Sequence, residues 1–307
     1  MELGYCGKLF GVMSVPKGTI MRSLLFIPGN RLDMLQKGLG FSSDVIVPDL
    51  EDSVPNTEKD DAREKVAGIV KEFTQNGHRV IPRINSLSSG YGKQDLQALI
   101  GPDIWGINVG KTDRPEDIVE LDSIITNLEY GSQISNGTIK LIPYIESASA
   151  LINAYLIGIA APRVIGLAFG AEDFTKDMGI ERTDIGQEID YPRYVVSVAA
   201  RAANIMAFDT PNVNFRDEAG LEIDIRKAIS VGYTGKFAIH PSQIGPINRL
   251  FVPSADQVLQ AKRIVEAAAK AELEGKGATT LDGKMIDVPI VERAKKLLAK
   301  LETHDKA

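Results

Sequence analysis

Eight short apolar runs, at 23–28, 45–48, 79–84, 104–109, 140–145, 164–169, 204–208 and 236–239, recur along this sequence. Each stops at polar or charged residues: Asn30; Asp49 with Glu51 and Asp52; Asn85; Lys111; Glu146; Glu172 with Asp173; Asp209; and His240. Apolar runs this short suit strands buried on both faces, as in a parallel sheet. Helix-like stretches lie between them. Eight strands alternating with helices predict an α/β fold, a (β/α)8 TIM barrel, whose chemistry sits at the carboxyl ends of the strands. Such a barrel needs about 250 residues, and the chain has 307. The expected division is an N-terminal extension at 1–21, a catalytic barrel at 22–252 and an extra C-terminal helical extension at 253–307, which can reach a neighbouring subunit.

Helix signals fall between the runs. Thr57 followed by Asp60 reads as a capping box ahead of Val66, Ile69, Val70 and Phe73. Pro115 reads as a first-turn proline ahead of Ile118, Leu121, Ile125 and Leu128. Two connections, 174–191 and 210–217, read as long loops. A net charge of −6 argues against a nucleic-acid partner. A single cysteine, Cys6, permits no intrachain disulfide, so a reducing, cytoplasmic compartment is expected. No apolar stretch is long enough for a membrane span, and residues 1–21 lack the charged start of a signal peptide.

Chemistry is expected from the strand ends. Glu146 and Asp173 follow neighbouring runs, and two such carboxylates can share one cation. Mg²⁺ prefers hard oxygens and accepts water and substrate oxygens in its shell, two of which a 2-oxo acid can supply. Each carboxylate can equally cap a helix N-terminus. Glu51 and Asp52 can hold water around the cation or form a solvated acidic turn. Asp49 is expected to satisfy backbone or basic groups. Arg83, a charge inside an apolar run, needs a partner. Its fork suits a carboxylate or a developing enolate oxygen, or a structural ion pair. Lys111 can form a Schiff base only with a depressed pKa, and acidic neighbours favour an ion pair instead. Three histidines, His78, His240 and His304, are too few and scattered for a His-ligated zinc. His240 can touch substrate or make a structural hydrogen bond. The sequence has neither a Walker motif nor a dinucleotide fingerprint.

Seven segments in one order carry a resemblance: 22–31 (RSLLFIPGNR), 49–54 (DLEDSV) with Lys59 and Arg63, 82–85 (PRIN), 145–147 (IES), 170–173 (GAED), 235–243 (GKFAIHPSQ) and 283–287 (GKMID). Together they resemble the citrate lyase β-subunit and malyl-CoA/citramalyl-CoA lyase family, the HpcH/HpaI aldolase group. The resemblance implies a Mg²⁺-dependent carbon–carbon lyase with Glu146 and Asp173 as metal ligands and Arg83 on the 2-oxo acid or enolate. It implies coenzyme A contacts at Phe26, Arg31 and Lys37, and a catalytic carboxylate, Asp287, delivered by the tail of a neighbouring subunit. It implies acyl-CoA and 2-oxo acid substrates and a homo-oligomer, a trimer or a dimer of trimers. A citrate lyase β-subunit acting on a citryl carrier, a CoA-independent 2-oxo acid aldolase and a non-catalytic scaffold are the alternatives.

Overall fold

The computed structural model describes residues 19–183 and 185–304. Cys6 and most of the expected N-terminal extension lie outside them. Two compact units are present, one built on Met21–Asn248 and one beginning at Arg249.

The first unit is a closed parallel barrel. Its strands are β1 (Ser23–Pro28), β2 (Val45–Asp49), β3 (Arg79–Val80), β4 (Arg83–Ile84), β5 (Gly106–Val109), β6 (Lys140–Ile145), β7 (Gly166–Phe169), β8 (Met206–Asp209) and β9 (Gly235–Ala238). Each pairs in parallel with its neighbours, and pairing of β1 with both β2 and β9 closes the ring. The run at 79–84, expected as one strand, is broken into β3 and β4 at Ile81 and Pro82. Proline has no N–H to donate to a ladder. The stave survives because Ile81 donates to the Ile46 carbonyl and Asn108 donates to the Pro82 carbonyl. Nine strands therefore make eight staves.

Alternation along the staves explains the continuous apolar runs. Leu24, Val45, Val47, Ile81, Ile142, Tyr144, Phe208 and Phe237 fill the barrel interior. Leu25, Ile46 and Leu141, on the other faces, are just as buried beneath the helical layer. Each such side chain contributes about 1.5–3 kcal/mol by leaving water.

That helical layer comprises α1 (Leu32–Gly38), α2 (Lys59–Gln75), α3 (Gly92–Leu99), α4 (Pro115–Gly131), α5 (Ala148–Ile159), α6 (Ala171–Met178), α7 (Asp190–Ala202), α8 (Glu218–Ser230) and α9 (Ile244–Leu250). Pro115 opens α4 as expected. Ser147 caps α5 by accepting from the Ala150 amide at 3.0 Å. The expected capping box at Thr57 and Asp60 does not form. Residues 56–58 make a 3₁₀ turn, α2 starts at Lys59, and Asp60 instead pairs with Arg63. The connection at 174–191 is largely ordered, because α6 occupies its start and a 3₁₀ turn lies at Gln187–Ile189.

The second unit contains α10 (Ala255–Leu273), an antiparallel hairpin of β10 (Thr279–Leu281) and β11 (Lys284–Ile286), and α11 (Val288–His304). Asp282 and Gly283 make the hairpin turn, with φ of 53° and 74°. Positive φ at both positions matches strand twist, which explains the Asp-Gly pair. Among the described residues, no helix is long and apolar enough to cross a membrane.

Candidate active site

The interior rows of side chains decide which strand-end residues reach the barrel mouth. Val45 and Val47 point inward, so Asp49, next in that row, does too. The same period carries Ile81 to Arg83, and Ile142 and Tyr144 to Glu146. Asp49 and Arg83 stand opposite each other in register.

Their contact is a two-pronged ion pair. Arg83 Nε donates to Asp49 Oδ1 and Nη2 to Oδ2, each at 2.7 Å. The Glu51 and Ser53 amides donate to the same carboxylate at 2.9 and 3.1 Å. Burial alone would raise the Asp49 pKa. The charge and hydrogen bonds of Arg83 outweigh it and hold the group below its ordinary value. Arg83 Nη1 lies 3.1 Å from Glu51 and 3.2 Å from Asp52. Its guanidinium sits over the Phe26 ring, 4.7 Å from the centroid, and Phe26 stacks on Phe237.

Lys59 and Asn85 hold the acidic loop from behind. Buried Lys59 donates to the carbonyls of Leu50 and Glu51 at 2.7 and 2.6 Å. Asn85 donates to the Leu50 carbonyl and, with its amide, to Asp95. Asp95 in turn accepts from Arg63 at 3.0 Å.

Lys111 has φ of 55°, in the left-handed region. That turn aims its amide at Glu146 Oε1, 2.6 Å away. Its ammonium is bonded to the Glu51 carboxylate and lies 3.5 Å from Asp52. Partial burial favours the neutral amine, but the hydrogen bond and charge of Glu51 outweigh it and raise the Lys111 pKa. The expected ion pair is present, and a charged ammonium is not a Schiff-base nucleophile.

Glu146 is buried, and its pKa is pushed up to about 7, first by burial, then by Glu51 and Asp173. Two glycines cradle it. A Cβ at Gly110 would lie 2.6 Å from Oε1, and one at Gly170 would lie 2.7 Å from Oε2. Asp173 stands in the first turn of α6, near enough to Glu146 to raise that pKa; Lys176 is 3.9 Å away. Its neighbour Glu172 is exposed and pairs with Arg182. Among the described residues, Asp49, Glu51, Asp52, Glu146 and Asp173 face Arg83, Lys111 and Lys59, and Glu146 has no cationic side chain within ion-pair distance. The negative surplus falls on Glu146, since Asp173 at least meets the exposed Lys176. No group of three or more His, Cys, Asp or Glu is arranged around a metal among the described residues. A cation there would complete its shell with water and ligand oxygens.

Other strand-end residues go elsewhere. Phe208 fills the interior, so Asp209 turns outward. It is fully buried between Arg193 and Lys236, and Asp224 completes that structural ion network. His240 is half-buried, stacks on Phe215 at 4.7 Å and bonds Ser242, the structural alternative raised from sequence. Arg31 and Lys37 are exposed at α1, where Arg31 pairs with Asp33. Asp287 belongs to the second unit, where its carboxylate accepts from the Ile290 amide at 3.3 Å, at the start of α11.

The HpcH/HpaI aldolase/citrate lyase model matches residues 22–241. The chain belongs to that family. It is 37% identical to the citrate lyase subunit beta of Haemophilus influenzae, over 92% of this chain and 98% of that protein. It is 30% identical to the mitochondrial citramalyl-CoA lyase of Rattus norvegicus, over 95% and 89%. Among solved structures, CitE from Mycobacterium tuberculosis with magnesium, acetoacetate and coenzyme A superposes with a TM-score of 0.78 at 25% identity, over 93% and 99% of the two chains. The two sequence relatives carry the names of lyases and bear out the family expectation, and the solved structure bears out the barrel.

Proposed function

We propose that the chain is a Mg²⁺-dependent carbon–carbon lyase. It would cleave, reversibly, a 3-hydroxyacyl-CoA of the citramalyl or malyl type into acetyl-CoA and a 2-oxo acid, pyruvate or glyoxylate. The observation that carries this reading is Glu146, buried and without a cationic side-chain partner among the described residues, with Asp173 close by and an Arg83 fork locked by Asp49. The donors fit the metal: hard carboxylate oxygens, with two glycines letting the Glu146 carboxylate seat against the backbone at Gly110 and Gly170. Relatives from Mycobacterium tuberculosis solved with magnesium and acetoacetate or pyruvate support the same choice.

Mg²⁺ bound at Glu146 and Asp173 would supply Lewis-acid polarisation of the substrate hydroxyl and carboxylate. The chain's own residues do the rest. Arg83, prevented from swinging by Asp49, presents its remaining Nη2 N–H to the 2-oxo acid or enolate oxygen without reorganising during reaction. The bond that breaks joins the thioester α-carbon to the hydroxyl-bearing carbon. The hydroxyl oxygen becomes the keto oxygen of the product, and the bonding pair passes to the thioester as an enolate. Glu51 and Asp52, beside Arg83 and Lys111, hold the water that takes the hydroxyl proton. Asp287, from a neighbouring copy, returns a proton to the enolate. Arg31 and Lys37 set exposed positive charge beside β1 for the coenzyme A phosphates. Phe26, assigned to coenzyme A by the resemblance, carries the Arg83 guanidinium on its ring.

A homo-oligomer, a trimer or a dimer of trimers, belongs to this reading. Ile152, Tyr155, Leu156, Tyr194 and Val198 are exposed on α5 and α7, an apolar face suited to a second copy. A second substrate reading follows from the higher identity to citrate lyase subunit beta: a citryl thioester cleaved to oxaloacetate. Citramalyl-CoA, malyl-CoA and citryl-CoA offered separately to the purified protein, with and without EDTA, decide between them by which 2-oxo acid is released. Cleavage that is indifferent to the chelator would remove the metal from the mechanism.

A further inference from the structure

Tyr144 lies two residues before Glu146 on β6, and its ring packs against Phe237 at 5.2 Å. The residue is 3% exposed, and its hydroxyl has no hydrogen-bond partner among the described residues. A buried hydroxyl without a partner is costly, and phenylalanine would fill the same space without that cost. The hydroxyl is not remote from the chemistry. Its ring meets Phe237, Phe237 stacks on Phe26, and Phe26 carries the Arg83 guanidinium, while Glu146 comes next in the same inward row, so the residue belongs to the wall that Arg83 and Glu146 share. Gly170 adds an independent sign. Its φ of −106° is open to any residue, so the backbone does not require glycine there. A Cβ at that position would lie 2.7 Å from Glu146 and 3.2 Å from the Tyr144 ring. The glycine lets Glu146 and Tyr144 close in against the backbone together, so the two side chains are set side by side. A wall that holds a guanidinium, a carboxylate and an unused hydroxyl donor suits a ligand with several oxygens of its own.

We propose that the Tyr144 hydroxyl is a substrate donor, giving its hydrogen bond to an oxygen of the 2-oxo acid fragment held between Arg83 and Glu146. This rests on the lyase reading and adds a specificity-determining residue to it. A 2-oxo acid satisfies the donor, whereas a plain ketone without the carboxylate does so poorly.

Calorimetric titration of the wild type and Tyr144→Phe with pyruvate in Mg²⁺ buffer tests this. The variant should bind pyruvate about 10- to 100-fold more weakly, the worth of a hydrogen bond to a charged oxygen. Its thermal midpoint without ligand should equal or exceed that of the wild type, because an unpaired hydroxyl has been removed. Pyruvate should also perturb the tyrosine ultraviolet spectrum of the wild type, which decides the matter even if the variant fails to fold. Equal affinities, a lowered ligand-free midpoint in a folded variant, or no tyrosine perturbation each overturn the role of Tyr144 and leave the lyase reading standing. A wild type that binds none of pyruvate, glyoxylate and oxaloacetate in Mg²⁺ overturns both.

Discussion

Asp49→Asn isolates the clamp that holds Arg83. The substitution keeps the size of the side chain and removes its charge. Asp49 is 1% exposed and accepts two guanidinium N–H groups and two backbone amides. Asparagine retains one acceptor oxygen and sets an NH₂ against the guanidinium. At least one charge-assisted bond is lost, about 1.5–3 kcal/mol. Breaking a buried ion pair from one side costs about 3–5 kcal/mol, because the other charge is left uncompensated. Glu51 and Asp52 still face Arg83 Nη1, so the lower end of that range, about 3 kcal/mol, is expected. Arg83→Gln should cost a similar amount by stranding Asp49. The double variant Asp49→Asn/Arg83→Gln strands neither and should be about 2 kcal/mol more stable than the sum of the single losses. Trp105, the single tryptophan, packs against the barrel core, so its fluorescence in urea reports the unfolding of the barrel. Cleavage activity should fall about 100-fold in Asp49→Asn, from loss of arginine placement. Additive single losses, or an Asp49→Asn protein within about 0.5 kcal/mol of the wild type, would refute the clamp.

Three further outcomes are expected. Gly170→Ala pushes a methyl to within 2.7 Å of Glu146 at an unstrained backbone position; turnover should fall at least about 10-fold while the far-ultraviolet circular dichroism is unchanged, and unaltered kinetics would show that the cradle has slack. Asp287→Ala should abolish turnover and leave the titration of pyruvate with Mg²⁺ in place, so full activity would strike Asp287 from the mechanism. Burial would raise the Asp224 pKa, but Lys236 and Arg193 outweigh it and hold it well below the ordinary range. A depressed carboxyl contributes stability that is present above its unfolded pKa of about 3.9 and is lost as pH falls through the folded value. Asp224→Asn should therefore lower the urea midpoint at neutral pH and flatten the decline below about pH 4; an unchanged acid limb would contradict the assignment.

The barrel was legible because burial on both faces leaves strands with no polar alternation, so each stave stands out as an apolar run. Glu146, Arg83 and the acids after β2 were legible as charges where such runs end or are interrupted. Ending a run does not say which way a side chain faces. Asp209 ended its run as Asp49 did, yet it lies one residue past an interior position and faces the helices. Counting by twos from the interior residues separates the two cases, a signal present in the sequence but left unread. Tyr144 escaped for the opposite reason: it lies inside an apolar run, where its ring hides its hydroxyl. The break at Pro82 follows from a residue with no N–H to give, and the cap at Thr57 is lost to a nearer competitor, because Asp60 pairs with Arg63 three residues on. Lys59 stood out only as part of the family resemblance, and its grip on the loop was not legible, because what it holds are carbonyls.

Lys111 ties two demands to one position. Its left-handed backbone would relax with glycine, and by the usual scale that exchange is worth about 1 kcal/mol. Glycine would still offer the amide to Glu146 but would discard the ammonium on Glu51. Freeing the backbone would leave the buried Glu51 with one partner fewer, a larger loss than the strain relieved, so a laboratory search for sturdier variants should keep lysine there and find its gains elsewhere.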